Sequence, residues 1–322
     1  MSASNPAQDT IIRRYGTAAI ADAAALIRAG RPVAIPTETV YGLAADATNG
    51  DAVAQIYAAK GRPAFNPLIV HVADLDQAQG IAIFDETALR LAAYFWPGPL
   101  TLVLPRAPDC PIAAIATAGL PTVALRCPGH RAMQALIRAS GRPLAAPSAN
   151  ASGAISPTRA AHVLASLNGR IAMVIDDGPT GHGLESTIVA PGADGVRLLR
   201  PGPVTADRIA GVTGAPLLSA NAGIQSPGQM ASHYAPAKPL TIDDDAPPPG
   251  AFVIGLGADA CDFQLSARGD LVEAAARLFD ALHAGDASDR PMIAVRPIAR
   301  TGIGIAINDR LRRAATPPSP AA

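Results

Sequence analysis

The sequence predicts an α/β fold built on a mixed β-sheet, and three observations support this prediction. Short apolar runs typical of buried strands alternate with amphipathic helical segments along the chain, which is the pattern of an α/β domain. The alternation is irregular, which favours a mixed sheet over a regular doubly wound one. The 29 glycines and 31 prolines among 322 residues introduce many turns and exclude a simple helical bundle.

The first two thirds of the chain carry most of the predicted elements. Gly30 and Gly61 mark helix ends, and Thr48 or Asn49 supplies a helix start. The apolar patterns predict helices over 17–29, 49–60, 85–95, 130–139 and 157–167, and strands over 32–35, 68–72, 100–104, 122–126, 144–146, 173–175, 187–189 and 196–199.

A change of composition near residue 211 predicts a second domain. From 211 to 239 glycine, alanine, serine and proline dominate and periodicity is lost, which indicates a linker. Beyond it we expect strands over 251–256 and 292–295 and helices over 270–283 and 303–313. The predicted organisation is therefore a first domain over 1–212, a linker over 213–240 and a small α/β domain over 241–322.

Charge and cysteine usage exclude several classes of protein. The 26 basic residues balance 26 acidic ones, so a protein that coats a polyanion is excluded. Only Lys60 and Lys238 are lysines. Three scattered cysteines favour a reduced cytosolic compartment, and the absence of a long apolar run predicts no membrane span. No histidine or cysteine spacing indicates a protein-held metal.

Candidate functional residues lie in polar loops of the first domain. Each loop alone is ordinary turn chemistry, and Lys60 before Gly61 also fits a cation at a helix C-terminus. Glu38 and Glu185 lie in two of these loops, and the sequence leaves open whether they meet. Together the loops favour a site that donates hydrogen bonds to anions, and they occupy residues 36–42, 60–68, 146–153, 178–187 and 199–203.

At these loops the sequence resembles the YrdC/Sua-type family of threonylcarbamoyl-AMP synthases. The resemblance rests on several motifs in order and with the family's spacing, from about residue 11 to about 240. A further motif, SPGQMASHYAP over 226–236, is similar to the linker of the family's two-domain branch, although Gln229 stands where a methionine is commoner. The motifs of the first domain are PTETVYGL (36–43), KGRPAFNPL (60–68), SANASG (148–153), EST (185–187) and LRPG (199–202).

The resemblance implies a fold, a reaction and partners. It implies a YrdC-like twisted mixed sheet with a concave face, followed by a small Rossmann-like C-terminal α/β domain. It implies conversion of L-threonine, bicarbonate and ATP into threonylcarbamoyl-AMP and pyrophosphate, with Mg²⁺ accompanying ATP. A downstream threonylcarbamoyl-transferase complex would then modify a tRNA adenosine next to the anticodon, and direct contact with tRNA is left open.

The resemblance also assigns binding residues, while no general acid or base is assigned. Arg126 supplies a forked guanidinium suited to the threonine carboxylate. The residues expected near threonine are Thr39, His71, Arg126, Ser148 and Ser186. The residues expected near ATP are Lys60, Arg62, Asn66, Thr122, Asn150, Thr158, Arg200 and Tyr234, with Ser148 also beside the triphosphate.

Two further expectations concern the linker and the competing functions. The linker is expected to close over the site as a lid and exclude water from a labile carbamate and a reactive anhydride. One alternative function is a nucleotide- or double-stranded-RNA-binding module without catalysis. Another is a related enzyme that adenylates carbamoyl phosphate, although such enzymes carry zinc-finger-like cysteines in much longer chains.

Overall fold

A computed structural model describes residues 9–219, 233–257 and 260–316 of the chain. The first part forms an 11-stranded sheet with helices on both faces. Its strands are β1 (Ile11–Arg14), β2 (Val33–Pro36), β3 (Tyr41–Asp46), β4 (Ile69–His71), β5 (Leu100–Pro105), β6 (Thr122–Arg126), β7 (Leu144–Ala145), β8 (Met173–Asp176), β9 (Thr187–Gly192), β10 (Gly195–Arg200) and β11 (Leu218–Ser219). Its helices are α1 (Thr17–Arg28), α2 (Gly50–Lys60), α3 (Leu75–Gln79), α4 (Glu86–Phe95), α5 (Arg131–Ser140), α6 (Ala160–Leu167) and α7 (Ala206–Thr213).

The large sheet is mixed, as the sequence predicted. Its strand order is β1-β8-β2-β3-β7-β4-β6-β5-β9-β10-β11. Parallel pairs such as β4 with β6 and β5 with β9 alternate with antiparallel pairs such as β5 with β6. Antiparallel neighbours end at opposite edges of the sheet and parallel neighbours at the same edge, so the polar loops that the sequence analysis singled out come from several different connections.

Two apolar layers cover the faces of this sheet. Successive residues of β2 alternate between them: Val33 and Ile35 pack with α1 and α5, whereas Ala34 faces the cluster that includes α2, α4 and α6. Both layers consist of fully or nearly fully buried side chains. Strands buried on both faces appear in the sequence as continuous apolar runs, which is why most were predictable.

The second part of the chain forms a small parallel sheet. Strands β12 (Leu240–Thr241), β13 (Phe252–Gly255), β14 (Phe263–Gln264) and β15 (Ile293–Val295) pair in the order β12-β15-β13-β14. Helices α8 (Leu271–Ala287) and α9 (Gly304–Ala315) pack against it through Leu278, Phe279 and Ile307. This all-parallel arrangement agrees with the expected second α/β domain.

The two parts share one apolar cluster. Val40, Ile155 and Leu184 of the first part pack with Tyr234 and with buried residues of α8 and α9. The loop at Gly183 approaches α8 so closely that a Cβ there would lie 2.4 Å from the Ala276 carbonyl oxygen. The second part is therefore packed directly on the loops that precede β9.

The structure differs from the sequence-based elements in a few places. The residues after the Thr-rich turn form β3, which was not predicted. Helix α6 begins at Ala160 rather than at residue 157, since the Arg159 backbone is extended at φ −138° and ψ 156°. Short or exposed elements were also missed, namely β1, α3, α7, β11, β12 and β14. The domain boundaries at 212 and 240 stay predictions, and residues 220–232 of the linker, including its SPGQMAS segment, lie outside the described residues.

No helix within residues 9–219, 233–257 or 260–316 combines the length and the apolar character needed to cross a membrane.

Candidate active site

A polar pocket lies where the loops of the first part meet the start of the second part. All five residues expected near threonine line this pocket, as do three of those expected near ATP. Its lining comprises Thr37, Thr39, Val40, Gly42, Arg62, Ile69, His71, Arg126, Ala146, Pro147, Ser148, Glu185, Ser186, Arg200, His233 and Tyr234. Residues more than 100 positions apart in the chain thus meet in one cavity.

Arg126 is the last residue of β6, and its side chain is buried in the pocket wall. Its Nη1 donates to Thr39 Oγ1 at 2.9 Å, and its Nε donates to the Gly98 carbonyl oxygen at 3.2 Å. Its Nη2 lies 2.7 Å from Glu38 Oε1, which also accepts a hydrogen bond from the Gly129 N–H at 3.0 Å. The guanidinium is therefore held in one orientation on three sides.

The Glu38 carboxylate stays ionised beside Arg126. Burial by itself raises the pKa of Glu38, but the positive charge of Arg126 and the hydrogen bonds from Gly129 and Arg126 lower it from 4.5 to about 2. Because Glu38 already pairs with the Arg126 guanidinium, a ligand carboxylate in this pocket would need further hydrogen-bond donors besides Arg126. The hydroxyls beside Arg126 supply such donors.

Thr37, Thr39 and His71 form the floor beside Arg126. The Thr37 and Thr39 hydroxyl oxygens lie 2.8 Å apart, and Thr37 also donates to the Val40 carbonyl oxygen. The His71 ring lies on β4, 2% exposed, and its Nδ1 has no partner among the described residues. Burial and the charge of Arg126 lower the pKa of His71 from 6.5 to about 3, so its ring is neutral at physiological pH.

Ser186 and Arg200 form the opposite wall. Arg200 ends β10, next to a register shift against β9, and its Nε and Nη2 donate to the carbonyl and hydroxyl oxygens of Ser186, each at 3.1 Å. The Ser186 hydroxyl lies 2.8 Å from that of Thr101. Gly202 passes so close that a Cβ there would lie 2.5 Å from the Thr187 nitrogen. Only glycine fits, which explains the LRPG motif physically.

Lys60 lies behind the pocket rather than in its lining. It is buried at the end of α2, and its Nζ donates to the carbonyl oxygens of Ser148 and Asn150, each at 2.5 Å. Burial, and then the charge of Arg62, lower its pKa well below the usual value. Lys60 thus anchors the loop that carries Ser148, while Arg62 reaches the pocket and donates to the Asn66 and Pro67 carbonyl oxygens.

The other four residues expected near ATP also lie outside the lining. Asn66 and Asn150 are buried within their loops, where Asn150 Nδ2 donates to the Ala151 and Ala154 carbonyl oxygens. Thr122 begins β6, at the opposite end of the strand from Arg126. The Thr158 hydroxyl donates to Asp280 Oδ1 of α8 at 2.6 Å, which places it in the contact between the two parts.

The start of the second part closes one side of the pocket. Tyr234 is 1% exposed and adopts φ +64°, a left-handed conformation that is unusual for a large side chain. Its neighbour Ala235 donates to the Gly153 carbonyl oxygen at 2.8 Å, which ties this segment to the SANASG loop. The Tyr234 hydroxyl and His233 Nδ1 have no partners among the described residues, so both can meet a ligand.

Sequence reasoning did not assign several residues of the site. Glu38 and Glu185 were noticed only as loop carboxylates, and Thr37 and His233 were not singled out. Arg310 of α9, which pairs with Glu185, was missed altogether. A sequence signal for it exists: Arg310 follows Ile307 by three positions and precedes Leu311, so it falls on the apolar face of its helix.

The described residues contain no group of three or more histidine, cysteine, aspartate or glutamate side chains that could hold a metal ion. Glu185 is the carboxylate among the pocket-lining residues, and its oxygens already accept from Ser156 and Arg310. The Glu185 carboxylate oxygens therefore do not form a metal-binding site by themselves.

Comparison with known families agrees with the resemblance seen in the motifs. Residues 25–202 match the Sua5/YciO/YrdC family model, described as "Telomere recombination". Residues 204–316 match the Sua5 C-terminal model, described as "Threonylcarbamoyl-AMP synthase, C-terminal domain".

Full-length relatives and a solved structure extend this match over both parts of the chain. The threonylcarbamoyl-AMP synthase of Bacillus subtilis is 45% identical, covering 92% of each chain, and that of Pyrococcus abyssi is 40% identical, covering 91% of this chain and 92% of its own. The crystal structure of P. abyssi Sua5 complexed with L-threonine superposes with a TM-score of 0.86 at 37% identity, covering 96% of this chain and 98% of that one. The chain therefore belongs to the Sua5/YciO/YrdC family, in its two-domain form.

Proposed function

We propose that this chain is a threonylcarbamoyl-AMP synthase that joins L-threonine, bicarbonate and ATP and releases pyrophosphate and water. One observation carries the proposal: the buried guanidiniums of Arg62, Arg126 and Arg200 converge on one pocket. Glu38 pairs with Arg126 and Glu185 pairs with Arg310, so positive charge stays in excess around the pocket, and a buried excess of charge is costly unless anionic partners join it. A carboxylate and a triphosphate together supply such partners, and the relatives' names and the threonine-bound structure support this reading.

The lining divides into a part suited to threonine and a part suited to ATP. Arg126 and the hydroxyls of Thr39 and Ser186 suit the amino-acid carboxylate and hydroxyl. The neutral His71 ring suits the amine, because its unpartnered Nδ1 can accept an N–H. Arg62, Arg200 and Tyr234 suit the triphosphate and the base. The other residues assigned to ATP lie outside the lining, namely Lys60, Asn66, Thr122, Asn150 and Thr158.

Two bond-forming steps account for the products. Bicarbonate takes up a proton and loses water to give carbon dioxide. The threonine amine then attacks the carbon of carbon dioxide, and the nitrogen releases a proton to give a carbamate. A carbamate oxygen then attacks the α-phosphorus, and the bond from that phosphorus to the departing pyrophosphate breaks. This is a nucleotidyl transfer, for which the chain supplies positioning, charge neutralisation and exclusion of water.

Mg²⁺ is proposed to arrive with ATP. The pocket-lining residues offer no open carboxylate set for it, so the phosphate oxygens would hold the ion, and it would supply further neutralisation of the triphosphate charge. Removal of Mg²⁺ with a chelator should abolish pyrophosphate release and leave threonine binding intact. Loss of threonine binding on chelation would contradict this placement of the ion.

We also propose a place for the reaction in the cell. The product is a mixed anhydride, so an enzyme that transfers its threonylcarbamoyl group to a tRNA adenosine would have to consume it. Cys110, Cys127 and Cys261 are free thiols, which suits a reducing cytosol. Direct contact of this chain with tRNA stays a proposal to be tested by salt-dependent binding.

Pyrophosphate release from ATP tests the function. We expect release only when threonine and bicarbonate are both present, with a product of the mass of threonylcarbamoyl-AMP. ATP binding with no threonine-dependent release would contradict the proposal and favour the nucleotide-binding alternative. Release that requires carbamoyl phosphate instead of threonine would favour the carbamoyl-adenylating alternative.

A further inference from the structure

A fully buried arginine of the second part reaches the back of the pocket. Arg310 lies on α9, and none of its surface is exposed. Its Nε donates to Glu185 Oε2 at 2.8 Å, its Nη2 donates to the Glu185 carbonyl oxygen at 3.5 Å, and its Nη1 donates to Asp309 Oδ2 at 2.8 Å. Its guanidinium carbon lies 5.3 Å from the centre of the Tyr234 ring. Most of its contacts are therefore made to residues of the pocket wall.

Glu185 transmits this contact to the pocket. Its other oxygen, Oε1, accepts from the Ser156 hydroxyl at 2.5 Å, and the next residue is Ser186, whose hydroxyl accepts from Arg200. Glu185, Ser186, Arg200 and Tyr234 all line the same cavity. A displacement of the Glu185 carboxylate would therefore also shift its neighbours in the pocket wall, Ser186 and Arg200.

Packing of the two parts against each other does not require the ion pair between Arg310 and Glu185. The shared apolar cluster already joins them through Val40, Ile155 and Leu184. Buried ion pairs contribute little to stability, and well-packed apolar side chains in their place are often neutral or stabilising. The Arg310 charge instead affects ligand binding, because it neutralises the Glu185 carboxylate in the wall of a pocket that suits anions.

We infer that Arg310 is a positioning residue of the active site: it holds and neutralises Glu185 so that the pocket accepts the triphosphate of ATP. The second domain thereby contributes to substrate binding without touching the substrate. The inference rests on the proposed function, since it takes ATP as the anionic ligand. It assigns a specific task to the C-terminal domain.

Replacement of Arg310 by methionine tests the inference. The variant keeps the length and apolar packing of the side chain and removes the ion-pair partner of Glu185, which then faces the charge of Arg200 alone. At an effective dielectric constant of about 20, repulsion between the Glu185 carboxylate and a nearby triphosphate should weaken ATP binding by roughly tenfold or more. We expect the Kd and KM for MgATP to rise by that factor, with a smaller change in kcat.

The pH dependence separates neutralisation from a purely structural role. The charged or titratable groups that face Glu185 are Arg310, Asp309, Arg200, His233 and Tyr234. Burial lowers the pKa of His233 to about 3 and raises that of Tyr234, so both stay neutral between pH 6 and 8. Loss of Arg310 removes the largest influence that lowers the pKa of Glu185 and leaves burial opposed only by Arg200 and the Ser156 hydroxyl, so this pKa should rise. Protonation of Glu185 at lower pH should then partly restore ATP binding in Arg310→Met and should not change it in the unsubstituted protein.

Two further variants complete the design. Arg310→Met combined with Glu185→Gln removes both charges, so we expect tighter ATP binding than in Arg310→Met alone and no gain at low pH. This double variant also keeps the test decisive if Arg310→Met does not fold. Arg312→Met, at an exposed position of the same helix, is the matched control and should keep the original KM values.

The outcomes are distinguishable from failure of the proposed function. MgATP Kd is measured by calorimetry, alongside pyrophosphate release, for every variant. Unchanged ATP binding in folded Arg310→Met would overturn the inference, as would an equal, pH-independent loss in the single and double variants. If the unsubstituted protein binds ATP but does not turn over threonine, the proposed function fails while the Kd comparison still tests Arg310.

Discussion

At the scale of single residues, the pocket is defined by charges that the protein itself orients. Arg126 is held by Thr39, Gly98 and Glu38, and the Glu38 carboxylate is in turn fixed by the Gly129 N–H. A guanidinium fixed in this way loses little further freedom when a ligand arrives, which favours binding. We therefore expect Arg126 to contribute most to binding on the threonine side of the pocket.

Arg126→Ala should weaken the use of threonine more than the binding of ATP. One charge-assisted hydrogen bond contributes roughly 1.5–3 kcal/mol, so kcat/KM for threonine should fall about 10- to 150-fold. Steady-state kinetics with each substrate varied in turn measure the effect. The exposed Arg138 of α5 provides the control, since Arg138→Ala should change neither constant. A normal threonine KM and kcat in Arg126→Ala would remove this residue from the site.

Glu38→Gln should destabilise the protein in a pH-dependent way. Because the folded-state pKa of Glu38 is lowered from 4.5 to about 2, ionised Glu38 stabilises the fold fully above about pH 5, and this is lost as the pH falls through 2. The shift corresponds to about 3 kcal/mol at pH 7. Urea unfolding of both proteins at pH 7 and pH 3 measures the difference, which should shrink at pH 3.

The exposed Glu86 serves as the control for this experiment. Glu86→Gln should change the free energy of unfolding by less than about 0.5 kcal/mol at either pH. A Glu38→Gln effect that is equally large at pH 7 and pH 3 would show that packing, and not the ion pair with Arg126, explains it.

At the scale of elements, helix α2 connects local sequence signals to the pocket. Asn49 caps its start by accepting from the Asp51 and Ala52 N–H groups, and Gly61 ends it in the left-handed conformation at φ +59°. These signals fix the position of Lys60 in the last turn. The Lys60 ammonium then holds the loop at Ser148 and Asn150 through their carbonyl oxygens.

Lys60→Met should impair the use of both substrates, since the Ser148 loop loses its anchor. We expect a rise of roughly tenfold in KM for ATP, a smaller rise for threonine, and a loss of about 1–3 kcal/mol in stability, in line with the removal of charge-assisted hydrogen bonds. Kinetics and urea unfolding measure these changes. A rise for ATP alone with unchanged stability would indicate direct contact between Lys60 and the triphosphate.

Lys238 offers a closely matched control. Its Nζ also donates to backbone carbonyl oxygens, those of Gly285 and Ser288, but it lies in the second part and does not line the pocket. Lys238→Met should therefore lower stability and leave both KM values unchanged. An equal kinetic loss in the two lysine variants would refute the assignment of Lys60 to the loop.

At the scale of the whole molecule, the active site depends on contact between the two parts of the chain. Arg159 and Thr158 bond to Asp280 of α8, and the His162 and His283 rings stack 3.7 Å apart. Arg310 adds the contact to Glu185. Thr158, Arg159 and Glu185 lie on loops that lead into the pocket wall, so separation of the two parts should disturb substrate binding.

Gly183→Ala should separate the two parts. A Cβ at this position would lie 2.4 Å from the Ala276 carbonyl oxygen, and the backbone adopts φ +66°. Steric overlap and the left-handed conformation together predict a loss of about 2–4 kcal/mol in unfolding free energy. Gly181→Ala is the control, because a Cβ there meets no heavy atom within 4 Å. Similar stabilities of the two variants would contradict the close approach of the loop to α8.

The sequence alone determined the long elements, the mixed sheet and the set of pocket-lining loops. The strands buried on both faces appear as continuous apolar runs, and Asn49 and Gly61 mark the limits of α2 by local backbone chemistry. The ordered motifs likewise identified the family, and the family resemblance then assigned Arg126, His71 and Ser186 to the site. Each of these signals depends on neighbours in sequence, which is why one chain suffices to see it.

Only the tertiary structure decided which charges meet. Glu38 and Arg126 are 88 positions apart, and Glu185 and Arg310 are 125 apart. Nothing local in the sequence joins such pairs. The fold of the first part brings Glu38 to Arg126, and packing of the Glu185 loop against α9 brings Glu185 to Arg310. The same reason explains why β3, β11, β12 and β14 were missed: their pairing partners, and not their own residue preferences, make them strands.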